Sequence, residues 1–159
     1  MNTPTPNKTP RRLSRELVLQ GLYQWQLTGN SIPLIEEHLE VSEETAGDWA
    51  RSDRILLRAL LTGTTEHAAE LEAEFVPHID RPVGELSPIE RAIVMLGVYE
   101  LKHCPETPYR VVINEAIELA KNFGGTEGHR FVNGVLDKCA ARLRAVEIEH
   151  AKNNPRPPR

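Results

Sequence analysis

Apolar residues recur every three or four positions along almost the whole chain. This is the spacing of helices that bury one face, and no segment alternates apolar and polar residues over the length of a strand. Glycine and proline divide the pattern into separate segments. The spacing therefore predicts an all-α fold of two small packed helical bundles, with about seven helices in total.

The first half of the chain contains three predicted helices. The first runs over about residues 11–27 and ends at Gly29, a typical helix stop. A short helix is predicted around residues 33–39 and a long one over 48–75. Pro77 ends the long helix, because proline cannot continue the backbone hydrogen bonding.

The second half has better-marked helix starts. Ser87, Pro88 and Glu90 combine a capping box with proline at the first helical position. Thr107, also followed by proline, predicts the start of the next helix. Thr126 is predicted to cap the last one.

These segments predict two bundles with polar extensions. The N-terminal bundle is predicted over 11–78 and the C-terminal bundle over 79–151. Residues 1–10 form a polar, basic, proline-rich arm, and 152–159 form a short tail rich in proline. Such composition predicts disorder at both ends.

The net charge of −4 conceals three regions of different sign. Residues 1–15 carry a net charge of +4, residues 16–108 carry −11, and residues 109–159 carry +3. Segregation of this kind bears on binding partners rather than on the fold. It indicates either a localised anion-binding face or simply charged, solvated ends.

Composition also limits the compartment and the class of protein. The chain has no run of 18 apolar residues that would span a membrane and no apolar stretch typical of a secretory signal. Its two cysteines are too few and too far apart for a disulfide framework or a CxxC metal site. A cytoplasmic protein without membrane contact is the simplest interpretation.

No catalytic or metal-binding motif stands out. The six histidines form no HExxH motif and no zinc-type cluster with cysteine. Glu115 and Glu118 share a helix face, but neither belongs to a Glu-x-x-His pair, so solvation or pairing with Lys121 is favoured over a metal. His103 and Cys104 lack a third catalytic group. We therefore expect no enzyme activity, no metal and no cofactor.

The first helix begins with cations. Four cations lie around its start: Lys8, Arg11, Arg12 and Arg15. A cation at a helix N-terminus is repelled by the helix dipole, which lowers the stability of the helix by about 0.3–1 kcal/mol for each charge. An external anion such as phosphate explains them better than helix stability does, although a solvated basic end is the alternative.

Amide and aromatic groups follow the cations. Gln20 and Tyr23 lie further along the same helix, and cations with an amide and a stacking ring are typical of single-stranded RNA binding. In the last helix, Phe131 is either a stacking ring or a core residue. Gly134 within that helix costs about 1 kcal/mol relative to alanine, which predicts close approach by a neighbouring helix or a partner.

Three blocks of sequence resemble the NusB family of bacterial transcription antitermination factors. They are RRLSRELVLQGLYQWQLT (11–28), SPIERAIVMLGVYEL (87–101) and PYRVVINEAIELAKNFGGTEGHRFVNGVLDK (108–138). The resemblance implies two helical bundles. It also implies that the protein acts with NusE, a small-subunit ribosomal protein, on boxA RNA, so that RNA polymerase reads through terminators, notably on ribosomal RNA operons.

The same resemblance implies roles for individual residues. The RNA-facing positions would be Lys8, Arg11, Arg12, Arg15, Gln20, Tyr23 and Phe131, and the NusE-facing positions Glu90, Arg91, Phe123 and Glu127. A stand-alone RNA-binding factor in ribosome assembly and a protein-binding helical scaffold remain alternatives. The sequence leaves open whether the protein is a monomer or a homodimer.

Overall fold

A computed structural model describes residues 8–154, and all regular structure in that range is helical. None of its helices is long and apolar enough to cross a membrane. Two short 3₁₀ turns, Val76–His78 and Val83–Glu85, precede the sixth helix. The α-helices are α1 (Pro10–Thr28), α2 (Ile32–Val41), α3 (Ala46–Arg51), α4 (Arg54–Glu66), α5 (Ala68–Phe75), α6 (Pro88–His103), α7 (Tyr109–Phe123), α8 (Gly128–Leu143) and α9 (Ala145–Asn153).

The all-α prediction is confirmed, but the predicted number of helices is too low for this part of the chain. The long helix expected over 48–75 is wrong, since α3, α4 and α5 occupy that segment. The first break follows from Asp53, whose carboxylate accepts a hydrogen bond from the Leu56 backbone N–H at 3.1 Å and caps α4. The second break falls at His67, which precedes α5 with non-helical φ and ψ of −104° and 16°.

The chain divides into two compact units, Met1–Glu66 and His67–Arg159. The boundary therefore lies before α5 and not at residues 78/79, where the sequence placed it. The reason is that α5 packs on α6 and α8 of the second unit. A proline that ends a helix marks a change of direction, and it does not show which bundle the preceding helix joins.

In the first unit, α1 packs against α2, α3 and α4. A Cβ atom added at Gly21 would lie 3.1 Å from side-chain atoms of both Ile35 and Leu61, so the helices meet closely there. Gly29 ends α1 with a φ of 69°, as predicted, because glycine adopts this left-handed conformation without strain. Core residues of this unit include Leu13, Leu17, Leu22, Ile35, Leu39, Trp49, Leu57, Leu60 and Leu61.

In the second unit, α6 packs against α5, α7 and α8. The α6 start is as predicted, with the Ser87 hydroxyl accepting a hydrogen bond from the Glu90 N–H at 3.1 Å. The helices meet closely at Gly97, where an added Cβ would lie 2.7 Å from a methyl carbon of Leu136 on α8.

Two local predictions in this unit are wrong. Neither Thr107 nor Thr126 caps a helix through its side chain, because α7 begins after Pro108 and α8 after Glu127. Gly134 is exposed, and among the described residues no neighbouring helix comes within 4 Å of the position of an added Cβ. Of the two explanations for this glycine, close approach by a neighbouring helix is therefore excluded, and close approach by a partner stays a prediction.

The predicted disordered ends overlap the described helices at both termini. Lys152 lies within α9, and Pro10 is the first residue of α1. Residues 1–7 and 155–159 of the predicted arm and tail lie outside the described residues.

Candidate nucleic-acid interface

The predicted cations lie at the start of α1, where Thr9 forms the helix cap. The Thr9 hydroxyl accepts a hydrogen bond from the Arg12 N–H at 3.1 Å, and the first turn contains no acidic residue. Arg11 is exposed and Arg12 is half-buried. This turn therefore presents positive charge from side chains as well as from the helix dipole.

Arg15 does not fit the expectation of a surface cation, since only 3% of it is exposed. By this position α1 has entered the packed part of the protein, and Ser14 and Glu16 on either side are also buried. Both Arg12 and Arg15 make further interactions within the protein. A buried guanidinium needs such partners, because an unpaired buried charge is strongly unfavourable.

Lys8 is also engaged within the protein. Its ammonium group donates hydrogen bonds to both carboxylate oxygens of Glu16, at 2.7 and 3.0 Å. The Glu16 side chain is only 4% exposed, so Lys8 covers a buried negative charge close to the arginines. Lys8 therefore offsets the negative charge of Glu16 near the start of α1.

Gln20 and Tyr23 follow on the same side of α1 as Arg12. Arg12 and Tyr23 are three turns apart, about 16 Å along the axis and within about 20° around it. Tyr23 is 39% exposed, and Gln20 is half-buried with its amide 3.5 Å from the Glu16 carbonyl oxygen. The Tyr23 ring and the Arg12 guanidinium thus lie along one edge of the helix, and the Gln20 amide lies about 80° around the helix from Arg12.

Phe131 lies in the second unit, in an open depression of about 520 Å³. The guanidinium carbon of Arg81 lies 4.9 Å from the centre of its ring, a cation–π contact. Glu90 and Glu127 line the same depression. The structure therefore brings together residues that the sequence assigned to two different partners, RNA for Phe131 and NusE for the glutamates.

The remaining predicted partner-binding residues are arranged differently. Arg91 donates a hydrogen bond to the Glu72 carboxylate at 3.1 Å, which holds it within the unit. Phe123 ends α7 and is 38% exposed. Gly124 follows it, and a Cβ there would lie 2.8 Å from the Ala120 carbonyl oxygen, so this turn requires glycine.

Sequence reasoning missed Arg81, which covers one face of Phe131 and pairs with Asp80 at 2.9 Å. It lies between the predicted helix that Pro77 ends and the predicted helix that begins at Ser87. No periodic pattern identifies such a residue, because its contact is made across 50 positions of sequence.

These features define an all-helical protein with a basic helix start, an aromatic and acidic depression, and no motif for catalysis. The chain belongs to the NusB family, which it matches over residues 12–141.

Individual relatives agree with this assignment. The chain is 60% identical over 146 residues to "Transcription antitermination protein NusB" of Azoarcus sp. (strain BH72), covering 92% of each protein. The structure is similar to that of T. maritima NusB, with a TM-score of 0.73 and 28% identity over 94% of this chain and 99% of that one. It also resembles a NusB chain solved with NusE and double-stranded RNA, with a TM-score of 0.69 and 22% identity. That match covers 86% of this chain and 97% of the other one.

Proposed function

We propose that this protein is an RNA-binding transcription antitermination factor that acts with NusE on boxA of nascent RNA. The observation that carries the proposal is the 60% identity, over nearly the whole chain, to a protein named for this activity. The complex of a structurally similar NusB with NusE and RNA is consistent with both partners. Acting on nascent RNA places the protein in the cytoplasm, and read-through implies an antitermination complex that includes RNA polymerase.

The RNA contacts proposed on α1 are Arg11, Arg12, Gln20 and Tyr23. Arg11 and Arg12 supply guanidinium groups for phosphates, and the exposed ring of Tyr23 supplies a surface on which a base stacks. Arg15 and Lys8 act by positioning this helix and by offsetting the charge of Glu16. Base stacking of this kind contributes about 1–3 kcal/mol per base.

The NusE contact proposed in the second unit is the depression that contains Glu90 and Glu127. Its carboxylates suit a basic ribosomal protein, and Gly128 leaves space beside Glu90, since an added Cβ would lie 3.4 Å from its carboxylate oxygen. Phe123 and Arg91 extend the predicted surface. Phe131 keeps its proposed contact with RNA, made from the ring face opposite Arg81.

The RNA proposal is tested by fluorescence-anisotropy titration of boxA-type RNA, a scrambled strand and a duplex, each with and without NusE. NusE is expected to strengthen binding to the boxA strand more than to the other two. Tyr23→Ala is expected to weaken binding about fivefold or more, because it removes one stacking surface. Failure of all three RNAs to bind in any combination would reclassify the protein as a protein-binding scaffold.

The NusE proposal is tested by charge reversal in the depression. Glu90→Lys is expected to weaken NusE binding at moderate salt, since it places a cation against a basic partner. Glu43→Lys, in the exposed connection between α2 and α3, makes the same change in net charge and serves as the control. Equal affinity of NusE for both variants and the parent would contradict this surface.

A further inference from the structure

Two histidines and a glutamate from separate parts of the second unit lie side by side. His67 immediately precedes α5, Glu70 lies in the first turn of α5, and His103 is the last residue of α6. One ligand atom from each lies within 4.8 Å of the other two, the one such group of three among residues 8–154. We propose that these side chains form a binding site for a Zn²⁺ ion.

The distances already approach those that zinc requires. Tetrahedral bonds of about 2.0–2.1 Å place ligand atoms roughly 3.4 Å from one another. Nε2 of His103 lies 3.2 Å from Oε2 of Glu70, so this pair matches. The imidazole rings of His67 and His103 have centres 4.5 Å apart, and all three ligand atoms lie within 4.8 Å of one another, so rotation of the His67 side chain brings its nitrogen to the remaining position.

The surroundings hold one of these rings in place and leave room for a fourth ligand. Tyr99 stacks on His103, with ring centres 5.1 Å apart and planes at 28°. The side chains of His103 and Glu70 are 28% and 38% exposed, so water reaches the site. Two histidines, one carboxylate and one water give zinc four ligands.

Lys102 sets the affinity of the site. Its ammonium group lies 2.8 Å from Oε1 of Glu70, on the other oxygen of the carboxylate, and 3.1 Å from Glu74. This positive charge repels a metal ion, so binding is weaker than it would be with a neutral side chain at position 102.

The ligand types select among metal ions. Imidazole nitrogens suit Zn²⁺, Cu²⁺ and Ni²⁺, whereas Mg²⁺ and Ca²⁺ prefer oxygen ligands. Mg²⁺ is therefore the matched control ion, with the same charge and no preference for this site.

The test is calorimetric titration of the full-length protein with ZnCl₂ and with MgCl₂, together with native mass spectrometry. One Zn²⁺ per chain is expected to bind, and Mg²⁺ is not. His67→Gln and His103→Gln are each expected to weaken zinc binding at least tenfold. His150→Gln, an exposed histidine on α9, is expected to have no effect.

Lys102→Met provides a variant that moves the affinity in the opposite direction. It is expected to bind zinc several-fold more tightly than the parent, and circular dichroism checks that each variant stays helical. If His67→Gln does not fold, His103→Gln and Lys102→Met still decide the matter. Absence of stoichiometric zinc in the parent, or equal affinity in all the histidine variants, would overturn the proposal.

Discussion

Arg144 and Glu147 form an ion pair that links the C-terminal end of α6 to the N-terminal end of α7. The Arg144 guanidinium is 6% exposed, and Oε2 of Glu147 accepts a hydrogen bond from the Tyr109 N–H at 2.9 Å, at the start of α7. The negative charge of Glu147 lies at the N-terminal end of α7, and the positive charge of Arg144 lies at the C-terminal end of α6. Each charge is therefore opposite in sign to the partial charge of the helix end that it contacts. Arg144 also donates to three carbonyl oxygens at the end of α6, those of Glu100 at 3.1 Å, Leu101 at 2.6 Å and Cys104 at 2.9 Å.

Removal of this guanidinium is expected to destabilise the fold. Arg144→Ala removes three hydrogen bonds to carbonyl oxygens at the end of α6 and leaves Glu147 without its ion pair, and it is expected to lower the free energy of unfolding by about 2–4 kcal/mol in urea titrations. Arg142→Ala, which removes an exposed guanidinium paired with Glu74, is expected to lower it by less than about 1 kcal/mol. Equal losses in the two variants would show that Arg144 contributes no more than a surface ion pair.

Two helical glycines are expected to respond to alanine with opposite signs. Gly97→Ala places a methyl group against buried Leu136 and is expected to lower stability by about 1–3 kcal/mol. Gly134→Ala meets no atom within 4 Å and is expected to raise stability by up to about 1 kcal/mol. Urea midpoints measure both. A loss of stability in Gly134→Ala would contradict the open space found there.

The two cysteines are expected to differ in reactivity. Burial raises the pKa of the Cys139 thiol to about 11, whereas Cys104 is partly exposed. Alkylation with iodoacetamide at pH 8, followed by mass spectrometry, is expected to modify Cys104 at least tenfold faster, since only the thiolate reacts. In urea the two rates should converge. Equal rates in the native protein would mean that Cys139 is more accessible than the structure shows.

Acid is expected to weaken the fold partly through Glu74. Hydrogen bonds from Arg142 and Lys102 lower the pKa of this carboxyl below its ordinary value of 4.5. A lowered pKa in the folded state contributes stability above pH 4.5 that is lost as the pH falls further. From pH 6 to pH 3, the urea midpoint of Glu74→Gln is therefore expected to fall less than the urea midpoint of the parent protein.

The control for this comparison is Glu43→Gln, which removes one exposed carboxyl from the connection between α2 and α3. Its urea midpoint is expected to fall between pH 6 and pH 3 as much as that of the parent. If the urea midpoint of Glu74→Gln falls as much as that of the parent, the ion pairs of Glu74 do not govern stability in acid.

The arginines at the start of α1 are expected to control the salt dependence of RNA binding. Each phosphate contact with a single strand changes the slope of log K against log salt concentration by about 0.7. Arg11→Ala and Arg12→Ala are each expected to reduce that slope by about this amount. Arg58→Ala, an exposed arginine paired with Glu36, is the control and should leave the slope unchanged. If both α1 variants keep the slope of the parent protein, the first turn of α1 does not contact RNA phosphates.

Local sequence was sufficient to predict the helical class, the ends of α1 and the start of α6. Gly29 and Ser87 act through their own backbone and nearest neighbours, so their effects are visible in a short window of residues. The cations near Arg11 and the lack of catalytic motifs are likewise properties of composition and spacing. The resemblance to NusB rested on three such blocks.

Tertiary structure decided the properties that depend on contacts between distant residues. It buried Arg15, placed Lys8 on Glu16, and put Gly97 rather than Gly134 at a close helix contact. It also brought His67, which lies between α4 and α5, beside His103 at the end of α6. A helical period shows that a residue shares a face with its neighbours. It does not show which helix packs on that face, and burial, ion pairing and ligand sets all depend on that choice.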